Sequence, residues 1–175
     1  VGCITMFIGA LLAIFSIDLK RTLACSSMSQ IGFIAVGIGM HALLGHSDGL
    51  AVHGTVLHMV NHSLFKLVLF LCAGVVAMNA HALSLDDVRG FGRDKPLLMV
   101  TFLMGACSIA GIPGFSGYIS KTLLHEGIVE LIAHLEGHGH PAGIYRVSEW
   151  LFLIAVGMTL DEIHVAGTTA DFEPS

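Results

Sequence analysis

Long uncharged runs alternate with short clusters of charged residues along the chain. Most of the runs are close to the ~20 residues that an α-helix needs to cross the hydrocarbon core of a bilayer. The pattern predicts an all-α, polytopic membrane protein with about five transmembrane spans. The predicted spans are Val1 to Ile17, Ser26 to Gly45, Leu50 to Asn79, Leu97 to about His134, and Tyr145 to Leu160.

The fourth predicted span is interrupted by the sequence AGIPGFSGYISK at residues 110–121. Pro113 removes a backbone donor, and Gly111, Gly114 and Gly117 loosen the chain, so we expect the helix to break here. In a bilayer a broken helix is tolerated only where neighbouring protein or a wet cavity satisfies the freed backbone groups. The third span is longer than a membrane crossing requires, because it would form ~45 Å of helix and the hydrocarbon core is ~30 Å thick. We therefore expect this helix to tilt, kink or protrude.

Composition supports a membrane protein and argues against several other classes. Hydrophobic residues make up 54% of the chain, charged residues 12%, and the mean hydropathy is +0.82. A soluble domain carries about 25% charged residues, so a surface this poor in charge would aggregate in water. The 8 Lys and Arg residues argue against nucleic-acid binding, and 4 scattered cysteines without CxxC spacing argue against an iron–sulfur or disulfide framework.

Basic residues predict the orientation of the spans. Lys20 and Arg21 follow the first span, and the charged loop after the third span contains Arg89, Arg93 and Lys95. Two predicted crossings separate these clusters, so both face the same side, and the turn at 46–49 has no Lys or Arg. The positive-inside rule places both basic clusters in the cytoplasm.

Polar side chains recur with helical spacing inside the third span. His58, His62 and Lys66 are four residues apart and therefore share one helix face, and Asn61 borders it. Ionisable groups inside a membrane mark proton or ion pathways by default, so the three residues predict a proton relay bridged by water. The alternatives are hydrogen bonding between helices and a metal site; a metal would need a third ligand, and we expect none.

A second isolated lysine, Lys121, follows the predicted break within about two turns of helix. Broken helices at the membrane midplane are where transporters place ion sites, so Lys121 is a second relay candidate. His125 shares its face, with Glu126 beside it; the alternative is a lysine that extends to the membrane interface. Lys20 is either a relay residue or the charged end of a helix.

Three segments together resemble the antiporter-like membrane subunits of respiratory complex I, Mrp-type sodium/proton antiporters and membrane-bound hydrogenases of the formate hydrogenlyase type. The segments are DLKRTLACSSMSQIGF (18–33), HMVNHSLFKLVLFLCAG (58–74) and AGIPGFSGYISK (110–121). They occur in the order and at about the separations expected of that family. The resemblance covers about residues 1–160.

The resemblance implies a fold of two inverted five-helix repeats, each with one broken helix, and this chain looks like the second repeat. It implies a central relay of His58, His62 and Lys66, and a terminal Lys121 near an exit half-channel. It also implies a multi-pass subunit of the inner or plasma membrane that works with other membrane subunits, moves protons or sodium, and holds no cofactor. Such a subunit is a translocase component with no catalytic centre of its own.

The resemblance implies a fragment of a proton-translocating subunit of a complex I-like NADH:quinone oxidoreductase or a membrane-bound hydrogenase. Two alternatives stay open: an Mrp-type sodium/proton antiporter subunit without redox partners, and a structural membrane subunit or inert gene fragment. The first repeat, with its glutamate–lysine pair, is absent, so we do not expect the chain alone to pump. Residues 161–175 are polar and unlike the family, and are predicted to lie outside the fold.

The predicted topology can be tested by labelling from either face of the membrane. Single cysteines at Ser47 and Gly90, in a cysteine-free background, should react with an impermeant thiol reagent from opposite faces of intact vesicles, because one span separates them. Labelling from the same face would contradict the five-span topology.

Overall fold

The computed structural model describes residues 1–44, 49–80, 84, 94–138 and 143–160. Apart from one isolated bridge, the regular structure in these residues is α-helical. The helices are α1 (Gly2–Ile14), α2 (Leu19–Leu44), α3 (Gly49–Ala80), α4 (Pro96–Ala110), α5 (Ser116–Gly137) and α6 (Gly143–Met158). The all-α prediction is therefore confirmed within the described part of the chain.

The second helix begins earlier than its uncharged run predicts. α2 starts at Leu19 rather than Ser26, so Lys20 and Arg21 lie in its first turn, where both side chains are exposed. The amide and the hydroxyl of Thr22 both donate to Asp18 O, at 2.9 and 3.0 Å. The charged residues therefore belong to the helix itself, because side chains in its first turn can reach water.

The exterior of the bundle is apolar, whereas the surface of a water-soluble protein carries mostly polar side chains. Large apolar side chains are exposed along the helices, among them Phe15, Leu71, Leu97 and Trp150, whereas several polar and charged side chains are buried. Exposed apolar surface on this scale needs lipid or another protein against it. The arrangement is typical of helices that pack in a bilayer, where polar side chains connect neighbouring helices.

Length and composition by themselves support two membrane crossings. α2 and residues Gly49–Asn79 of α3 are long and apolar enough to span, whereas α1 and α4 are apolar but shorter. The count of five spans stays a prediction. Several predicted features fall outside the described residues: Arg89, Arg93, most of the charged loop, most of the turn at 46–49, and the tail at 161–175.

Two apolar clusters pack against α3, one on each side of its polar middle. One joins Ala51 to residues of α1, α2, α5 and α6, and the other joins Leu69, Cys72, Ala73 and Val76 to α2 and α4. Between them α3 buries Thr55, His58, Asn61 and Lys66. The polar side chains therefore lie about halfway along the longest helix, between two apolar layers.

The beginning of α2 lies next to the chain that follows α3. Asp18 and Ser84 form an isolated antiparallel bridge. Lys20 comes two residues after Asp18, so the first basic cluster lies at the same end of the bundle as Ser84. The orientation predicted from the positive charges stays a prediction.

Between α4 and α5 the chain leaves helical geometry at residues 111–115. The amide of Gly111 donates to Ser108 O at 3.2 Å and that of Ile112 to Cys107 O at 3.2 Å, which is the hydrogen-bond pattern of a Schellman helix end. Gly111 and Gly114 have φ of 83° and 100°, values that residues with a Cβ rarely adopt. Pro113 lies between them and donates no amide hydrogen.

Gly117 lies inside α5 rather than in the interruption, and it allows the two half-helices to touch. A Cβ at this position would lie 1.7 Å from Ser108 O, far inside contact distance. The first turn of α5 therefore packs directly on the last turn of α4.

Gly117→Ala should destabilise the protein by about 1–3 kcal/mol, the cost of overpacking a tight interior site. Gly74→Ala is the matched control, since a Cβ on Gly74 in α3 meets nothing within 4 Å and alanine favours a helix interior by about 0.5–1 kcal/mol. Thermal unfolding in detergent measures both variants. Equal midpoints would show that the half-helices do not touch as described.

Candidate functional site

The polar stripe of α3 faces the interior of the bundle. His58 is 3% exposed and Lys66 5% exposed, while His62, one turn from each, is half-buried. Asn61 is buried beside them, and its Nδ2 donates to Ser116 O at 3.0 Å. The four residues that the sequence singles out in this span therefore lie together along one side of α3.

Lys66 is held by oxygens of α2. Its Nζ donates to Ser26 Oγ at 3.0 Å and to Leu23 O at 3.2 Å. Hydrogen bonds to an ammonium group are stronger than those between neutral groups, and they offset part of the cost of taking a charge out of water. Ser26 reaches this position because the buried face of α2 carries polar residues at helical spacing, as Thr22, Ser26 and Gln30 do.

His58 connects α3 to α5. Its Nδ1 lies 3.0 Å from Ser120 Oγ, and the Ser120 hydroxyl donates to Gly117 O at 3.0 Å. Because a hydroxyl has one hydrogen to donate, the network assigns the donor role in the first contact to His58 Nδ1–H. Neutral His58 then carries its lone pair on Nε2.

A small cavity lies between the polar stripe and the broken helix. It is lined by Gln30, His58, Asn61, His62, Ser108 and Gly117, among others, and about 10 Å³ of it is open to the centre of a water molecule. That is close to the ~10–15 Å³ that one water requires. Phe65 and Ile109 also line it, so polar and apolar side chains enclose a space of about one water between α2, α3 and the ends of α4 and α5.

Lys121 lies where the broken helix frees backbone oxygens. It is 4% exposed, and its Nζ donates to Ile109 O at 2.6 Å, to Thr159 Oγ1 at 3.0 Å and to Ala110 O at 3.4 Å. In a continuous helix Ile109 O would bond to the amide of residue 113, but Pro113 has no amide hydrogen. The ammonium group takes the place of that donor and is favoured by the negative end of the α4 dipole.

Phe33 contacts both the polar stripe and Lys121. Its ring is fully buried, 5.8 Å from the His58 ring between centroids, and Lys121 Nζ lies 5.3 Å from the centroid of the Phe33 ring. The Phe152 ring packs edge-on at 4.9 Å. A cation over an aromatic face is stabilised by about 0.5–2 kcal/mol, so the ring contributes to holding Lys121.

Of the other sequence candidates, His125 lies near Lys121, and the two line a cavity together with Phe152. The carboxylate that faces His125 is Glu149 of α6, at 3.4 Å between Nε2 and Oε1. Glu126 is exposed on α5, because one helical position turns a side chain by about 100°. Lys20 is exposed at the first turn of α2, which is the position of a charged helix end.

Several contributors to the site were not singled out from the sequence. Ser26, Gln30, Phe33, Ser120 and Thr159 all touch or enclose the candidate residues. Serine and threonine are common in membrane helices and often bond to the backbone of their own helix. A periodic polar face on α2 was the one pattern that could have pointed to Ser26 and Gln30.

The chemistry available here is proton transfer. Imidazole nitrogens can donate or accept, and an ammonium group can release a proton and regain it. Within the described residues no group of three His, Cys, Asp or Glu side chains is placed to hold a metal ion.

Comparisons with known proteins identify relatives of this chain. A sequence model for the family described as NADH:quinone oxidoreductase/Mrp antiporter, transmembrane, matches residues 1–135. An NAD(P)H-quinone oxidoreductase chain 4 from Picosynechococcus sp. is 32% identical over 164 residues, 94% of this chain and 28% of the relative. An NADH-ubiquinone oxidoreductase chain 5 from Wickerhamomyces canadensis is 36% identical over 135 residues, 73% of this chain and 19% of the relative. The chain thus spans less than a third of the length of these relatives.

Two solved complexes contain chains of similar structure. A chain of respiratory complex I from Thermus thermophilus matches with a TM-score of 0.80 at 20% identity, over 99% of this chain and 33% of that chain. A chain of the Mrp complex from a Dietzia species matches with a TM-score of 0.76 at 27% identity, over 93% of this chain and 17% of that chain. The first of these likenesses concerns the fold alone.

The burial of the two interior lysines predicts a difference in chemical reactivity. In the folded protein in detergent, an amine-reactive reagent should modify Lys20, whose side chain is exposed, and leave Lys66 and Lys121 unmodified. All three should react after denaturation. Peptide mass spectrometry measures the extent at each site, and equal labelling of the three lysines before denaturation would contradict the described interior.

Proposed function

The chain belongs to the NADH:quinone oxidoreductase/Mrp antiporter transmembrane family, and on that premise we propose that it carries protons across a membrane through buried His and Lys side chains. The observation that carries the proposal is the burial of two lysines, Lys66 and Lys121, inside an apolar helical bundle. Ionisable residues at such positions are expensive and belong to substrate or proton pathways. A stabilising role alone would not require groups that can change charge.

We propose a path that begins at Lys66 and passes His62 and His58. His62 lies one helical turn from each of the other two, and both histidines line the small cavity. From His58 the path continues through the Ser120 hydroxyl, next to Lys121 in sequence, toward the broken helix. His58 and Lys121 both pack against the Phe33 ring, and transfer between the two centres would use a local rearrangement or a transient water.

The proposal extends to topology and location. Residues 1–160 would form part of a proton-translocating domain with five crossings, in which α4 and α5 together make the broken fourth span. Lys20 and the loop after α3 would face the cytoplasm, and the membrane would be the inner or plasma membrane. The bridge between Asp18 and Ser84, which brings these two segments to the same end of the bundle, supports this arrangement.

We propose that the chain works among other membrane subunits of a complex I-like NADH:quinone oxidoreductase. Relatives named as quinone oxidoreductase chains at 32% and 36% identity support this assignment. The alternative, an Mrp-type sodium/proton antiporter subunit, is supported by the structural likeness at 27% identity to the Mrp complex. Purification from native membranes separates the two, because redox subunits should copurify in the first case, and proton transport should depend on sodium in the second.

Lys66→Met should abolish proton translocation by the intact complex that contains this chain and leave assembly largely unchanged, since methionine fills a similar volume without a charge. Lys66→Arg should also fail, because arginine does not release its proton in proteins. The measurement is proton movement into reconstituted vesicles, normalised to the amount of the subunit.

Ser63→Ala is the matched control on the same helix. Ser63 is exposed, its hydroxyl donates to Met59 O within α3 at 2.8 Å, and the variant should pump normally. If Lys66 only connects helices, the pattern inverts: Lys66→Arg should pump and Lys66→Met should impair assembly. Pumping at the wild-type rate by Lys66→Arg would overturn the proposed function.

A further inference from the structure

Gln30 is a buried amide that the proposed path leaves without a role. It lies on α2, is 1% exposed, and lines the cavity between α2, α3 and the broken helix. Its Nε2 has no hydrogen-bond partner among the described residues. A buried, unsatisfied amide costs about 1–3 kcal/mol, so a polar partner is expected in the adjacent space.

Two histidines that line the same cavity also have a buried ring nitrogen without a hydrogen-bond partner among the described residues. His58 Nε2 and His62 Nε2 are buried and likewise have no hydrogen-bond partner in the part of the chain that the structure describes. The contact between Ser120 and His58 Nδ1 leaves a lone pair on His58 Nε2. The lining thus offers one donor from the amide, one acceptor from His58, and an imidazole nitrogen of His62 that can be either.

We propose that Gln30, His58 and His62 form a binding site for one ordered water, and that Gln30 is the residue that positions this water between the two histidines. The inference rests on the proposed function and adds a residue to it. A cavity of about 10 Å³ open to a water centre has room for one molecule, and buried waters make about three hydrogen bonds to otherwise unsatisfied groups. The lining residues offer three such bonds.

A proton can pass through this site without leaving a charge on the water. The water accepts a hydrogen bond from Gln30 Nε2–H and donates one of its own hydrogens to His58 Nε2. When His62 is protonated, its Nε2–H bond breaks as a bond to the water oxygen forms, and a water O–H bond breaks as the His58 Nε2–H bond forms. The water stays neutral and one positive charge moves from the His62 ring to the His58 ring.

Gln30 acts on this step through the water, so it is a positioning residue. Its bond fixes the water oxygen with one lone pair occupied, which leaves the other lone pair for His62 and both hydrogens free to donate. Without the amide the water loses one of three bonds and its fixed orientation. Pre-arranged geometry of this kind lowers the barrier to transfer.

The test uses Gln30→Met in the intact complex that contains this chain, since methionine keeps the shape and removes the donor. Proton translocation per subunit should fall by at least about 10-fold, the scale that follows from losing one hydrogen bond at a transfer step. Ser29→Ala is the matched control: Ser29 is the next residue on α2 and is also buried, but its backbone packs on Gly9 of α1. This control should pump normally.

A second measurement separates positioning from mere packing. A high-resolution cryo-electron microscopy map of the wild-type complex should contain a density peak within hydrogen-bond distance of Gln30 Nε2, His58 Nε2 and His62 Nε2. The peak should be lost or shifted in the Gln30→Met map, with the helices unmoved. A wild-type map without the peak overturns the site even if the variant fails to assemble.

Lys66→Met, measured in parallel, distinguishes the two proposals. If Lys66→Met is inactive and Gln30→Met pumps like wild type, the water site is wrong and the proposed function stands. If Lys66→Met pumps like wild type, the proposed function is wrong regardless of Gln30. Loss of pumping in both variants, with the density peak removed in Gln30→Met, supports the site.

Discussion

Two ammonium groups buried between helices impose the strongest local demand for polar partners in this bundle. A charge taken out of water must be surrounded by polar atoms, and both lysines obtain them from other helices. Lys66 on α3 reaches a carbonyl and a hydroxyl of α2. Lys121 on α5 reaches the last carbonyls of α4 and the hydroxyl of Thr159, which directly follows α6. Solvating the two charges therefore connects α2 to α3 and ties α4, α5 and the end of α6 together.

The break between α4 and α5 and the burial of Lys121 explain each other. Pro113 leaves Ile109 O without the amide that would bond to it in a continuous helix, and an unsatisfied carbonyl is costly in an apolar interior. The Lys121 ammonium, which needs oxygens, donates to that carbonyl at 2.6 Å. Gly117 makes this possible because it allows α5 to start directly against Ser108 O. Pro113, Gly117 and Lys121 therefore depend on one another. The carbonyl that Pro113 leaves without an amide accepts from Lys121, and Gly117 allows the two half-helices to approach closely enough for this contact.

Much of the site could be predicted because an ionisable residue in an apolar run is a rare and local signal. His58, His62, Lys66 and Lys121 were identified in this way, as were Gly111, Pro113 and Gly114 of the helix interruption, whereas Gly117 lies inside α5. Ser26, Gln30 and Thr159 were not, since short polar side chains occur on every face of membrane helices. Nor did the sequence indicate that the carboxylate facing His125 comes from another helix, as Glu149 does.

The sequence by itself determined the helical class, the family, the apolar exterior and the identity of the groups that can carry a proton. These properties follow from composition, from the spacing of residues along one helix and from motifs within single segments. Only the tertiary structure decided which oxygens hold each lysine, that Phe33 contacts both His58 and Lys121, and that Gln30 shares a cavity with two histidines. These contacts join residues on different helices, and packing, rather than periodicity along the chain, brings such residues together.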